Sequence, residues 1–191
     1  MKETKGTLGL QDGVKEGTPW NIVPELAYLS LGSNVGDRAA QLKEALRRLG
    51  AVGRVTRASA VYETEPVEFT EQPWFLNCVA ELETRLRPRE LMEWLLRIEE
   101  EMGRRRIQKK GPRIIDIDIL LFGGLAMRSA KLTVPHPAMQ ERRFVLEPLA
   151  EIAPDARHPV LGKTVLQLRD GLPAGQIVKR IEGGPAQDAE F

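Results

Sequence analysis

The order of apolar segments along the chain constrains the fold more than any other feature of this sequence. Four segments carry the alternating or continuous apolar residues that are typical of β-strands. They are residues 26–31, 54–64, 75–84 and 114–123. Two further segments carry apolar residues three and four positions apart, which predicts helices; the first ends at Gly50 and the second begins near Pro88. The resulting order is strand, helix, strand, strand, helix, strand.

This order is the split βαβ pattern. It predicts an α+β fold, a ferredoxin-like sandwich in which a four-stranded, mostly antiparallel sheet carries helices packed on one face. The opposite face of the sheet is left free, and the segment after Gly123 is expected to cover its rim. A further short helix is predicted within that segment, over residues 142–150.

Length and composition fit one folded domain between two polar ends. A chain of 191 residues, 42% of them hydrophobic, has enough apolar material for one core. Both ends are rich in glycine and polar residues and lack apolar periodicity. We therefore predict a flexible N-terminal extension over residues 1–24, a folded domain over 25–172 and a flexible C-terminal tail over 173–191.

Charge and cysteine content exclude several classes of protein. The 28 basic and 27 acidic residues leave a net charge of +1, so the chain as a whole is not attracted to nucleic acid or to anionic membranes. The single cysteine, Cys78, cannot form a disulfide framework or a cysteine-rich zinc site. No segment reads as a signal peptide or approaches the roughly 20 apolar residues that span a bilayer. We expect a cytoplasmic monomer without a nucleic-acid or membrane partner.

Two aspartates, Asp116 and Asp118, interrupt the last predicted strand. Residues two apart in a strand face the same side, so these carboxylates lie next to each other, while Ile117, Ile119 and Leu121 face the core. Carboxylates about 6 Å apart repel each other by about 3 kcal/mol at an effective dielectric constant of about 20, and a divalent cation between them reverses the sign. The pair favours a site for a hard metal ion; a strand whose solvent-facing side carries acids is the alternative.

A basic segment precedes these aspartates. Its six cations are Arg104, Arg105, Arg106, Lys109, Lys110 and Arg113. A dense anion and a metal ion would meet here, which is a property of nucleoside triphosphate bound with magnesium. The alternative is an RNA-binding module of the same fold that uses the loop 104–113, although a chain with 5% aromatic residues offers no cluster for base stacking. A metal-dependent phosphohydrolase is a third possibility.

The usual glycine-rich nucleotide motifs are absent from the sequence. The GKT triplet at residues 162–164 resembles the end of a P-loop, but the leading glycine would fall at position 157, which is arginine. The GSNVGD segment at residues 32–37 connects a strand to a helix and could offer N–H groups to an anion; a turn with Asp37 as the helix cap is the favoured interpretation. Side chains and metal must therefore hold any phosphates.

The chain has two histidines. His136 lies between Pro135 and Pro137 in a rigid loop after the last predicted strand, so it is a candidate contact for a phosphate or nucleotide. His158 is interpreted as a structural or surface residue, because most lone histidines are.

The segment KKGPRIIDIDIL at residues 109–120 resembles the signature of the 6-hydroxymethyl-7,8-dihydropterin pyrophosphokinase (HPPK) family. That signature is a basic residue, one free position, Gly-Pro-Arg, two free positions, Asp-aliphatic-Asp and two aliphatics. Further similar segments follow in the family's order: LGSNVGD, SAVYETEPV, QPWFLNCV, RIEEEMGRRR, LTVPHPAM and RRFVLEPLAEIAP. The resemblance covers residues 27–169. It implies the ferredoxin-like fold and the transfer of pyrophosphate from ATP to the hydroxymethyl group of the pterin, in folate biosynthesis, with release of AMP.

The resemblance also implies roles for individual residues. Asp116 and Asp118 resemble the ligands of two Mg²⁺ ions that bridge the triphosphate and the attacking hydroxyl, and Arg104 and Arg113 resemble the catalytic arginines. Positions similar to the ATP-binding residues of the family are Glu99, Arg106, Ile119, Thr133, His136 and Arg142. Positions similar to its pterin-binding residues are Thr64, Val67, Phe75, Asn77 and Phe144. Phe75 and Phe144 would stack on the pterin ring. The side chain of Asn77 and the backbone of residues 64–67 would hydrogen bond to its edge.

The chain departs from the family pattern around its basic loop. The stretch between Gly103 and Gly111, which contains Arg106, is one residue shorter than in some members. Lys110 stands where some members carry a tryptophan near the pterin. Differences in loop closure and in nucleotide affinity are expected from these changes, and the transferred group is expected to be the same.

Overall fold

The structure is a computed structural model that describes residues 23–67, 70–104 and 111–181. The strands are β1 (Glu25–Ser33), β2 (Arg54–Ala58), β3 (Val61–Thr64), β4 (Phe75–Thr84), β5 (Asp116–Phe122), β6 (Met127–Arg128), β7 (Thr133–Val134) and β8 (Val178–Ile181). The helices are α1 (Arg38–Leu49), α2 (Pro88–Glu101), α3 (Arg143–Ile152) and α4 (Val165–Asp170). A single 3₁₀ turn covers Met139–Glu141.

One antiparallel sheet organises the fold. Its strand order is β5-β1-β4-β3-β8, with β2 also paired to β4, and a separate hairpin joins β6 to β7. The predicted α+β, ferredoxin-like order is confirmed, since the first and last strands of the split pattern lie side by side. The second predicted strand is divided into β2 and β3. At the break, the hydroxyl of Ser59 accepts a hydrogen bond from the N–H of Val79, which interrupts the regular ladder.

Helices α1 and α2 cover one face of the sheet. Their buried apolar residues are Leu42, Ala45, Leu46, Leu49, Leu91, Leu95 and Ile98. Each of the buried leucine and isoleucine side chains contributes roughly 1.5–3 kcal/mol by leaving water. The carboxylate of Asp37 accepts the N–H of Ala40 at 3.0 Å, so the predicted cap of the first helix is confirmed, and α2 begins at Pro88 as predicted.

The other face is covered over only half its length. Val145, Leu146 and Leu149 of α3 form a second core with Val79, Leu120 and Leu121 of the sheet, and α4 adds Val165 and Leu168 to it. The predicted helix over 142–150 corresponds to α3, whereas α4 was not predicted. The uncovered half of this face, where β1 ends and β4 and β5 begin, forms the floor of a cavity. None of the helices that the structure describes is long and apolar enough to cross a membrane.

A β-bulge changes the faces of β5. The register shifts between Tyr28 and Leu29 of β1, which pair with Leu121 and Ile119 respectively. Leu120 and Leu121 therefore both belong to the core under α3, whereas Ile119 belongs to the core under α1 and α2. The prediction that Leu121 shares a face with the isoleucines is wrong, because a strict two-residue alternation does not continue through a bulge.

The last strand, β8, lies within the segment predicted as a flexible tail. It pairs with β3, and Arg180 forms an ion pair with Glu151 of α3 at 3.1 Å. No strand was predicted there, because β8 has only four residues and its apolar residues stand at its two ends. The folded domain thus continues beyond residue 172, to at least Ile181. The predicted N-terminal extension, apart from its last two residues, lies outside the described residues.

Candidate active site

A cavity of about 300 Å³ lies on the uncovered half of the sheet. Its lining residues are Ser30, Gly32, Thr64, Glu65, Pro66, Val67, Gln72, Phe75, Asn77, Arg104, Arg113, Asp116, Asp118, His136, Arg142 and Phe144. All five predicted pterin-binding positions, both aspartates and both predicted catalytic arginines are among them. Residues from four strands, from the start of α3 and from three loops thus meet in one space, although they are distant in sequence.

The two aspartates lie side by side at the start of β5, as predicted. Asp116 is paired with Gly32 of β1, and Asp118 is paired with Ser30. Because Gly32 has no side chain and Ser30 has a small one, the carboxylates face open space over the adjacent strand. The small residues of β1 therefore make room for whatever the carboxylates bind.

Both oxygens of Asp116 are engaged by guanidinium groups. Oδ1 lies 2.7 Å from Nη2 of Arg104, and Oδ2 accepts a hydrogen bond from Nη1 of Arg113. The two arginines predicted to be catalytic therefore converge on one carboxylate from the two ends of the connection between α2 and β5. Charge-assisted pairs of this type are strong and directional, so they hold both guanidiniums over the start of β5.

Asp118 is in a different electrostatic environment. Burial, followed by the negative charge of Asp116, raises the pKa of Asp118 to about 6, against the opposing influence of Arg142, Arg104 and Arg113. Its charged form is therefore unfavourable in the folded protein and would be stabilised by a cation bound at the pair.

The donor set at the aspartates fits a magnesium ion that is shared with a phosphate ligand. Within residues 23–67, 70–104 and 111–181 there is no group of three or more His, Cys, Asp or Glu side chains that could hold a metal ion by themselves. Magnesium is commonly bound by one or two carboxylates together with substrate phosphates and water. Two adjacent carboxylates are thus enough for such a shared ion, and they do not form a complete metal site.

Glu99 lies behind the cavity, not in it. Its side chain is 2% exposed; Oε1 accepts the N–H of Ile117 at 2.6 Å, and Oε2 accepts a hydrogen bond from Arg104. Burial raises the pKa of Glu99 to about 7, although Arg104 and the N–H of Ile117 favour its charged form. Glu99 therefore holds Arg104 and the start of β5 in place. This structural role is separate from the ATP contact that was predicted for Glu99.

The other predicted ATP-binding positions are dispersed. His136 and Arg142 line the cavity, whereas Thr133 lines a neighbouring groove that it shares with His136. The side chain of Ile119 is buried in the core under α1 and α2. Arg106 lies outside the described residues, as does most of the basic loop.

His136 is held as a neutral imidazole. Its Nδ1 accepts the N–H of Ala138 at 3.2 Å, and burial together with the nearby Arg142 lowers its pKa to about 4. A neutral ring with Nδ1 as acceptor carries its proton on Nε2, so Nε2 is a hydrogen-bond donor. This geometry suits contact with an anionic oxygen.

The predicted ring-binding side of the cavity combines aromatic and amide groups. Nδ2 of Asn77 donates to the hydroxyl of Thr64 at 2.7 Å, and both residues are buried. The guanidinium of Arg113 lies 6.0 Å from the ring centre of Phe75, and that of Arg142 lies 5.6 Å from the ring centre of Phe144. The two predicted stacking rings therefore belong to the same cavity as the charged groups.

Sequence reasoning missed several residues of the cavity. Ser30, Gly32 and Gln72 line it, and Asn34 joins two of its loops. The signal available for Gly32 and Asn34 was the GSN triplet at the end of the first strand, which was interpreted as a turn before a helix. Two other interpretations are confirmed: His158 is buried and accepts the N–H groups of Val160 and Leu161, and Thr164 caps α4, so the GKT triplet is no P-loop.

The chain is similar to known proteins over most of its length. The model of the 7,8-dihydro-6-hydroxymethylpterin-pyrophosphokinase (HPPK) family matches residues 28–154. The 2-amino-4-hydroxy-6-hydroxymethyldihydropteridine pyrophosphokinase of Bacillus subtilis is 49% identical over 129 residues, 66% of this chain and 77% of that protein. The enzyme of the same name from Methylorubrum extorquens is 45% identical over 159 residues, 82% of this chain and 98% of that protein.

Longer eukaryotic proteins contain a similar segment. The folic acid synthesis protein fol1 of Schizosaccharomyces pombe is 44% identical over 152 residues, which are 78% of this chain and 21% of that protein. The chain thus spans about a fifth of the length of that relative. A crystal structure of Plasmodium falciparum HPPK-DHPS has the same fold, with a TM-score of 0.66 at 19% identity over 80% of this chain and 45% of the other. The chain belongs to the 7,8-dihydro-6-hydroxymethylpterin-pyrophosphokinase family.

Proposed function

We propose that this protein transfers pyrophosphate from ATP to 6-hydroxymethyl-7,8-dihydropterin, a step of folate biosynthesis. The bond from the α,β-bridging oxygen to the β-phosphorus of ATP breaks, a bond from the hydroxymethyl oxygen to that phosphorus forms, the hydroxyl proton is released, and AMP leaves. The observation that carries the proposal is that one cavity joins an aromatic and amide pocket to a carboxylate pair with two guanidiniums. Family membership supports the same reaction.

In this proposal each wall of the cavity has its own task. Phe75 and Phe144 stack on the two faces of the pterin, and Asn77 and Thr64 offer polar groups to its edge, which orients the hydroxymethyl group toward Asp116 and Asp118. Magnesium held by the two aspartates and by ATP would neutralise phosphate charge and align the reacting groups. The arginines of the cavity would also neutralise phosphate charge.

The arginines are proposed to stabilise charge on the transferring group. Arg104 and Arg113 present permanently charged, planar groups that match phosphate oxygens, and they already lie over the start of β5. His136 and Arg142 are proposed to contact the nucleotide phosphates from the opposite wall, with the Nε2 proton of His136 as the donor. The remaining proposed nucleotide-binding positions are Glu99, Arg106, Ile119 and Thr133. The side chain of Ile119 is in the core, so its contact would have to come from its backbone.

The product of the reaction distinguishes this proposal from its competitors. Incubation of the protein with ATP, MgCl₂ and 6-hydroxymethyl-7,8-dihydropterin is expected to yield AMP and the pterin diphosphate in equal amounts, as separated by anion-exchange chromatography. Formation of ADP would contradict pyrophosphate transfer. Release of inorganic phosphate without pterin would instead indicate a phosphohydrolase.

The RNA-binding alternative has no support from the family or from the cavity. The aromatic rings Phe75 and Phe144 lie inside the cavity with charged residues and do not form an open stacking surface on the sheet. We propose that the protein acts as a cytoplasmic monomer without a nucleic-acid partner, on the basis of its balanced charge and its single buried cysteine.

Replacement of Gly32 by alanine is expected to weaken pterin binding. A Cβ atom on Gly32 would lie 2.7 Å from Oδ1 of Asn77, so the buried amide must move and its hydrogen bond to Thr64 is strained. Loss of one well-placed buried hydrogen bond costs about 1–3 kcal/mol, so the KM for pterin should rise about tenfold, with a smaller change in kcat. Pterin titration by fluorescence gives the affinity directly.

Gly124→Ala is the matched control for this substitution. No atom lies within 4 Å of a Cβ at Gly124, which follows β5 on the surface. The control should bind pterin like the wild type. Equal pterin affinity in Gly32→Ala and Gly124→Ala would show that Asn77 does not contact the ring.

A further inference from the structure

Asn34 is a buried polar residue that the proposed reaction does not yet use. It follows β1 and is only 2% exposed, and both polar atoms of its side chain have partners. Its backbone N–H donates to the carbonyl oxygen of Arg113 at 3.1 Å, and its Oδ1 accepts the N–H of Arg113 at 2.7 Å. Its Nδ2 donates to Oε1 of Gln72 at 3.0 Å and to the carbonyl oxygen of Pro73 at 3.1 Å.

These bonds join two walls of the cavity that are formed by segments far apart in the sequence. Arg113 reaches from its backbone to the carboxylate of Asp116 and lies 6.0 Å from the ring centre of Phe75. Gln72 lines the cavity, and Pro73 stands two residues before Phe75. One carboxamide therefore fixes both the loop that carries the guanidinium and the loop that leads into the proposed stacking ring.

The chemistry of the side chain explains why an amide is suited to this position. An acceptor is needed toward the N–H of Arg113, and donors are needed toward the two oxygen atoms of Gln72 and Pro73. Asparagine supplies both types of group in one short, planar side chain. Aspartate would keep the acceptor and lose the donors, and alanine would lose both.

We propose that Asn34 is a positioning residue, which sets the Arg113 guanidinium and the pterin-stacking ring at a fixed distance from each other. It acts through Arg113 and through the 72–73 segment and does not itself touch substrate. This role rests on the proposed function, because it assigns the two walls to phosphate and to pterin. The bond from Asn34 to Arg113 and its bonds to the 72–73 segment can be tested separately by substitution.

Asn34→Ala is expected to loosen both walls. Since misplacement of a reacting group by about 1 Å can cost about 100-fold in rate, kcat should fall by about that factor, and the Kd for pterin should rise about tenfold. Hydrogen exchange at the amide of Arg113 should become faster, because that N–H loses its acceptor. This last readout requires no activity.

Asn34→Asp separates these two sets of bonds and serves as the second variant should the alanine variant fail to fold. The carboxylate still accepts the N–H of Arg113, so slow exchange at that amide should be retained. It places an oxygen against the carbonyl oxygen of Pro73, so the Kd for pterin should rise as in the alanine variant. Unchanged Arg113 exchange and unchanged pterin affinity in Asn34→Ala would overturn the proposal.

A double-mutant cycle tests whether the effect on turnover passes through Arg113. In the background of Arg113→Ala, the further change Asn34→Ala should leave kcat nearly unaltered, since the group that it positions is already gone. If the two substitutions instead lower kcat by independent factors that multiply in the double variant, the effect of Asn34 does not pass through Arg113, and the proposal is overturned. Gln167→Ala is the control, because it removes a side-chain bond to the N–H of Thr164 at the start of α4, away from the cavity. A wild type that forms no AMP would refute the proposed function and leave the exchange experiment intact.

Discussion

Replacement of Asp118 by asparagine is expected to lower turnover by about 10²- to 10³-fold while it makes the folded protein more stable at pH 7.5. The loss follows because the variant keeps the size and shape of the side chain but removes one of the two charges that would hold magnesium, and an electrostatic contribution of this kind is worth about that factor. Steady-state formation of AMP measures it. Calorimetric titration with ATP and MgCl₂ should show weaker binding of the nucleotide.

The gain in stability follows from the sign of the pKa shift of Asp118. Burial and Asp116 raise this pKa to about 6 from about 3.8, so the folded protein holds the proton more tightly than the unfolded chain does. The stability that this provides is present below pH 4 and is lost as the pH rises through 6. At pH 7.5 the charge destabilises the fold, and asparagine removes that charge.

Urea denaturation at pH 5 and pH 7.5 measures this second effect. The difference in unfolding free energy between Asp118→Asn and the wild type should favour the variant at pH 7.5 and shrink at pH 5. Asp155→Asn, on the exposed loop after α3, is the control and should change neither turnover nor stability by much. Full activity in Asp118→Asn would refute the role of the aspartate pair.

The sequence predicted those parts of the fold that local patterns determine. Apolar spacing predicted α1 and α2, and the alternation around Asp116 and Asp118 placed both carboxylates on one side of β5, because side-chain direction in a helix or strand depends on position alone. The cap at Asp37 and the start at Pro88 are also local. These features required no knowledge of what packs against them.

The features that sequence reasoning missed depend on contacts between distant segments. The bulge opposite Tyr28 arises from the pairing of β1 with β5, and β8 is a strand because β3 offers it an edge. Asn34 reads as a turn residue in the sequence, and only the folded chain brings it to Arg113 and Pro73. The same holds for Glu99, whose burial behind Arg104 depends on how α2 packs against β5.

The arrangement around Asp116 implies that a divalent cation competes with two arginines of the protein. Both oxygens of Asp116 are paired with guanidiniums, from Arg104 and from Arg113, so a cation that binds Asp116 would compete with both and weaken or displace at least one of them. A displaced guanidinium keeps its charge and remains within reach of the phosphates that arrive with the cation. Metal binding and delivery of the arginine to the phosphates would then be one event.

Replacement of Arg113 by alanine is therefore expected to have opposite effects on metal binding and on catalysis. In the absence of nucleotide, the affinity for Mn²⁺ should rise about five- to tenfold, since a competing ion pair of this type contributes on the order of 1 kcal/mol. Turnover should fall by about 10²- to 10³-fold, because the charge that is proposed to stabilise the transferring group is lost. Electron paramagnetic resonance of free Mn²⁺ measures the first effect, and AMP formation measures the second.

A control variant separates this competition from a general change in charge. Arg38→Ala removes a guanidinium that pairs with Glu63 and with the carbonyl oxygen of Trp74, so it lowers the net charge by the same amount without uncovering Asp116. It should leave Mn²⁺ affinity nearly at the wild-type value. If Arg113→Ala and Arg38→Ala bind Mn²⁺ equally well, the Arg113 guanidinium does not compete with the cation for Asp116. Arg104 and Arg113 would then serve catalysis without controlling access of the metal to the site.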